Sequence, residues 1–207
     1  MIITIVNGIL DRLRDYDVAR HYGFAEMLPD GESIIPAIYC NNGEYRHVVN
    51  DYEWSEGIAY IRLSGADTSE PIFDEAFVGC QDLISIRQPM TLVVIGKRKK
   101  YRNFEMGELI RAKVTGTYPS ISATIGAVYV DIDVRSIDYD ISTVLRSEFE
   151  GASISWDTAN YIISLSIDVT IRIDSKCLNQ AAVCDVNAIA VNLDDDLASN
   201  GSTTLTY

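Results

Sequence analysis

Tyr161 to Ile173 reads YIISLSIDVTIRI, and this stretch decides the fold. Tyr161, Ile163, Leu165, Ile167, Val169, Ile171 and Ile173 are apolar at alternate positions, and Ser164, Ser166, Asp168, Thr170 and Arg172 fall between them. Successive strand side chains point to opposite faces, so the pattern predicts a strand with one buried and one wet face. Ile162 is the exception. Thirteen residues at about 3.3 Å each span roughly 43 Å, against an ordinary strand of about 5–6 residues. A strand of that length is expected to bend around a core or to pair with a neighbouring copy.

Working outward, the flanking segments alternate between helical and extended patterns. Ile2, Ile5 or Val6, Ile9 and Leu13 recur at helical spacing and predict an amphipathic N-terminal helix. Leu28-Pro29-Asp30-Gly31 is a turn. Pro36 to Cys40 is a short strand, Asn41-Asn42-Gly43 a turn, Glu44 to Val49 a returning strand and Ile58 to Leu63 another strand. Gly65 to Pro71 reads as a polar connection. Leu83 to Ile95, LISIRQPMTLVVI, is strand-like with Pro89 in its middle, where a ladder donor is missing. Gln88-Pro89 lacks the glycine or asparagine of a two-residue hairpin, so one strand kinked by a bulge is expected rather than two.

Phe104 to about Thr115 is a helix with Asn103 at its start and Gly116 at its stop. Ala127 to Ser136 is a strand, with Val128, Val130, Ile132 and Val134 on one face and Tyr129, Asp131, Asp133 and Arg135 on the other. Asp138 or Asp140 caps a helix from Ile141 to Phe149. The resulting class is α+β, a mostly antiparallel sheet with helices packed on it. Residues 1–179 are expected to form one domain, and 180–207 a C-terminal extension or arm.

The net charge of the 207 residues is −13, and it is unevenly spread. Residues 1–96 carry 6 basic and 15 acidic side chains, 97–135 carry 8 and 4, and 137–207 carry 3 and 11. An acidic chain adheres poorly to nucleic acid, whose phosphates demand cations, but it can wall a passage through which DNA slides. No run of 18 apolar residues occurs, and the N-terminus lacks the basic start of a signal peptide. Cys40, Cys80, Cys177 and Cys184 form no C-x-x-C pair and are expected to be free thiols.

No sequence fingerprint of catalysis is present, and His21 and His47 sit in no motif. Asp131 and Asp133, about 7 Å apart on one strand face, have the types for acid–base chemistry or Mg²⁺, but the pair reads first as a solvated or interface face. Asp194-Asp195-Asp196 lacks the 1-3-5 spacing of a calcium loop. Neither a metal nor a cofactor is expected. Lys97-Arg98-Lys99-Lys100-Tyr101-Arg102 is the sharpest local feature. It admits three readings: contact with phosphates or an acidic partner, a solvated strand end that discourages edge pairing, or a basic segment that meets the acidic surface of the next copy.

The order of parts resembles the tail-terminator and head–tail connector ring proteins of tailed bacteriophages, especially the crAss-like type. The resemblance rests on Ile2–Leu13, on Pro36-Ala37-Ile38-Tyr39 running into Asn42-Gly43-Glu44-Tyr45, on the proline-bearing strand Ile84–Ile95, and on the long strand running into Cys177-Leu178-Asn179. It covers most of residues 1–180. It implies a non-enzymatic virion protein, assembled in the host cytoplasm, whose copies form a ring around the genome channel and join the portal region to the tail. The implied partners are further copies, other neck and tail proteins, and double-stranded DNA that passes without specific binding. On that footing Lys97, Arg98, Lys99, Lys100 and Arg102, with Asp168 and Arg172, are the candidate contact residues between copies. A soluble α+β binding module for a protein or small ligand is the alternative.

Overall fold

A computed structural model of the chain describes residues 1–40, 43–72, 83–97, 103–152, 154 and 156–174. The expected turn residues Asn41 and Asn42, the basic residues Arg98, Lys99, Lys100 and Arg102, three of the cysteines, and residues 180–207 with the arm expected there lie outside them.

The fold is α+β. Four helices, α1 (Ile2–Arg14), α2 (Asn103–Val114), α3 (Pro119–Ile125) and α4 (Ile141–Glu148), accompany one sheet among the described residues. Its strands are β1 (His21–Asp30), β2 (Ser33–Tyr39), β3 (Tyr45–His47), β4 (Ile58–Leu63), β5 (Thr68–Ile72), β6 (Leu83–Lys97), β7 (Gly116–Thr117), β8 (Tyr129–Asp138) and β9 (Asn160–Asp174). They lie in the order β3-β2-β1-β4-β6-β9-β8-β7, with β5 also on β6. β1 runs parallel to β4, and the other described pairs are antiparallel.

The long strand β9 is the spine. Every residue from 160 to 174 is registered against β6, and its other side pairs with β8. Its length is therefore used inside the chain, between two strands of the same subunit. The odd-numbered face packs Tyr161, Ile163, Leu165, Ile167, Val169, Ile171 and Ile173 into the main core beneath α1, α2 and α3. The opposite face is divided. Ile162 joins Ile58, Tyr60, Val93 and Ile95 in a second core, closed by Val144 and Phe149. The wet face expected from alternation is thus wet over only part of the strand, and Ile162 departs from the alternation because its end of the sheet lies in this second core, which α4 helps to close.

β6 differs from the expected kinked strand. Its pairing with β9 runs from Leu83 to Lys97 without a register shift, so no bulge forms at Pro89. The Pro89 carbonyl accepts from Ser64 N at 3.2 Å. A residue's N and O point to the same side of an antiparallel strand. The donor that proline lacks therefore falls on the flank where β4 has ended at Leu63 and β5 has not begun at Thr68. No ladder bond is lost there. β5 itself occupies what the sequence suggests is a polar connection, held by five register pairs to β6.

Val128, expected on the buried face, is 47% exposed just before β8 begins. α3 is also additional to the sequence expectation. Pro119 occupies its first turn, and Gly126 ends it at φ +68°, a left-handed conformation that glycine adopts without penalty. The cap of α4 is Asp140, whose carboxylate accepts from Ser142 N at 2.9 Å and Thr143 N at 3.4 Å.

Candidate functional site: the open half of the sheet

Beyond the second core, the same sheet face continues with polar residues, and among the described residues no helix covers it. Register builds it directly. Arg87 stands opposite Thr170, Pro89 opposite Asp168, and Ser85 opposite Arg172. On the other flank Asp133 stands opposite Asp168, Asp131 opposite Thr170 and Tyr129 opposite Arg172. Residues directly opposite one another share a face, so β6, β9 and β8 present one charged surface.

Asp168 is its centre. It is only 5% exposed, and its Oδ2 accepts from both Arg87 and Arg135. Burial raises the carboxyl's proton affinity, but the two guanidinium groups outweigh this and leave its pKa below the usual aspartate value. Arg135 reaches Asp168 because the β8–β9 register shifts between Val134 and Ser136. It also pairs with Asp133 at 3.2 Å. Both arginine side chains remain 53% exposed, so among the described residues each keeps N–H groups open to a carboxylate from outside.

Because the folded-state pKa of Asp168 is depressed, its stabilising contribution is present above the unfolded value of about 3.9 and is lost as pH falls through the folded value. Asp168→Asn should flatten the acid limb of the stability curve below about pH 4, measured by urea unfolding across pH. An unchanged acid limb would contradict the arrangement.

A buried ion pair marks the border between the open half and the second core. Glu148, on α4, accepts from Arg62 Nε at 2.9 Å and Nη2 at 2.6 Å, and from Tyr60 Oη at 3.1 Å. Tyr60 is fully buried, and burial followed by the nearby Glu148 carboxylate raises its pKa well above the ordinary tyrosine value. This cluster fastens α4 to the sheet and fixes where the covered half ends.

Asp168 and Arg172 share the open half. Arg172 lies 5.3 Å from the Tyr129 ring, and its Nε is buried without a hydrogen-bond partner. Lys97 is exposed at the far end of β6 and lines a separate cavity of about 480 Å³ with Asp17, Glu56, Met106 and Tyr161. His21 Nε2 lies 3.0 Å from Glu56, and the His47 amide donates to Asp51 at 2.7 Å. Asp131 and Asp133 belong to the open half. No cluster of metal-ligating side chains occurs among the described residues. Cys40, the one cysteine among the described residues, is free. No helix among them is long and apolar enough to cross a membrane.

Arg87, Arg62 and Glu148 are the residues that sequence reading passes over, while Arg135 is placed by it on the polar face of β8 with no partner assigned. Glu148 had a signal: it follows Val144 by four positions, on the apolar face of α4. The sequence matches no protein-family model and no curated protein.

Proposed function

We propose that this chain is a structural, non-enzymatic subunit of a tailed-phage virion, of the tail-terminator or head–tail connector kind. Copies assemble into a ring in the neck or tail that joins the portal region to the tail and surrounds the DNA channel. One observation supports the reading: a charged half-face of the sheet that no helix covers among the described residues, centred on a buried carboxylate whose two arginine partners stay half exposed. A surface of this kind suits specific contact with another protein, because charged groups held in fixed positions set register and partner choice. The acidic net charge is compatible with a channel from which duplex DNA is released.

The basic run at Lys97–Arg102 extends the argument to assembly. Lys97 lines the same cavity as Asp17 and Glu56. In the ring reading, the run meets acidic surface on an adjacent copy or neck protein. Reversing Lys97, Arg98, Lys99, Lys100 and Arg102 to glutamate should weaken assembly and leave the fold intact, since exposed ion pairs contribute about 0–1 kcal/mol each. Added salt should weaken assembly in the same way. Light scattering across a salt series checks this, and assembly indifferent to both treatments would reduce the run to a solvated strand end. Duplex DNA should bind no more tightly than ordinary non-specific affinities, about 10⁻⁴–10⁻⁶ M.

The cavity of about 480 Å³ bounded by Asp17, Glu56, Lys97 and Tyr161 favours the second reading, a binding module for a small ligand. A chain that stays monomeric alone and on its native particle would favour that module over the ring.

A further inference from the structure

Val128 begins the row of alternate apolar residues that β8 turns toward the main core, and it alone of that row is open. Val130, Ile132 and Val134 are at most 8% exposed, whereas Val128 is 47% exposed. It forms one wall of a groove of about 410 Å³ between α3 and the start of β8, lined chiefly by Pro119, Ala123, Ala127, Val128 and Val130. No charged side chain lines this groove.

The chain itself leads to it. Val128 N donates to the Arg172 carbonyl at 2.8 Å, so the last residues of β9, which ends at Asp174, run beside the open wall. Residues 175–207 follow and lie outside the described ones. Ser175 to Val183 reads SKCLNQAAV, with Lys176 its one charged residue and Leu178, Ala181, Ala182 and Val183 apolar. Four residues of extended chain carry Leu178 up to roughly 14 Å from Asp174. Adjacent strands lie about 4.8 Å apart, so that reach includes Val128. The open half of the sheet borders the same exit, but Arg87, Asp168, Arg135 and Asp133 make it charged. Apolar side chains laid on it would strip water from those charges.

We propose that residues 175–183 fold back into this groove of their own chain, with Leu178 against Val128 and Ala123. The occupant is this segment rather than a free partner because the chain holds it at the groove's edge, where a short tether gives an effective concentration of about millimolar. Docked there, it covers the open end of the main core. It also sets the direction in which the acidic remainder, with Asp185 and Asp194-Asp195-Asp196, leaves the body. The contact needs no second copy, so its failure leaves the ring reading standing.

The test uses full-length chains. Val128→Asp alters an exposed side chain remote in sequence from Lys176, and circular dichroism confirms that the variant folds. It should speed tryptic cleavage after Lys176 by about tenfold or more, because cleavage follows the population of the undocked segment. Cleavage unchanged by Val128→Asp overturns the proposal. A second variant carries Val128→Cys and Leu178→Cys, with Cys40, Cys80, Cys177 and Cys184 replaced by serine. Mild oxidation should join positions 128 and 178 within one chain. Mixed with isotope-labelled copies, it should give linked peptides that are wholly light or wholly heavy by mass spectrometry. Mixed light–heavy links would seat the segment in a neighbouring copy, and no link at all would leave the groove without it. Either result overturns the proposal.

Discussion

Glu148→Ala should destabilise the fold by about 3–5 kcal/mol, the largest effect expected of any single polar substitution here. The Glu148 side chain is 1% exposed and that of Arg62 18%, so removing the carboxylate strands a guanidinium with little access to water. It also leaves the hydroxyl of fully buried Tyr60 without its acceptor. An unsatisfied buried polar group costs about 1–3 kcal/mol, and more when it is charged. Replacing all three partners together, as Tyr60→Phe, Arg62→Met and Glu148→Leu, should recover most of the loss, because a well-packed apolar set of similar volume is often neutral. Urea unfolding of the single and triple variants measures both. A loss under about 0.5 kcal/mol for Glu148→Ala would mean that α4 is not fastened by this cluster.

Ile162→Ala should cost about 2–5 kcal/mol, while Ser166→Ala, four residues along the same strand and on the same face, should cost little. Ile162 is fully buried in the second core with Val93, Ile95 and Phe149. Ser166 is exposed on the open half. The contrast follows from a face that is covered at one end and, among the described residues, uncovered at the other. Equal effects at the two positions would contradict that division. The same unfolding curves measure it.

Much of the frame was legible because periodicity carries it. α1, α2, α4 and the odd-numbered face of β9 show their burial in their spacing, whereas the other face of β9 is wet over only part of its length and the strand runs one residue further at each end, to Asn160 and Asp174. What stayed hidden depends on contacts between distant parts of the chain. β1, HYGFAEMLPD, has no clean alternation, because it turns from a place inside the sheet beside β4 to a hairpin tip that is partly in solvent. β5 is a polar segment that is extended because β6 outruns β4 and offers it an edge. Pro89 looked like a kink, yet it lies where no ladder partner is due.

The candidate surface divides in the same way. Asp168 and Arg172 were visible as the polar positions of an apolar strand. That Asp168 is buried between Arg87 and Arg135 was not, because it requires the β6–β9 register and the shift in β8. Such facts follow only after three strands, far apart in sequence, are aligned.

In the proposed ring, copies of this chain associate head to tail around a closed channel. Mass measurement of the purified full-length chain, alone and on its native particle, combined with electron imaging, tests it most directly. A ring-forming chain gives a single symmetric oligomer with an open channel, either in solution or templated on the particle, whose population falls as salt rises. A strict monomer in both settings, at every salt concentration, would contradict it.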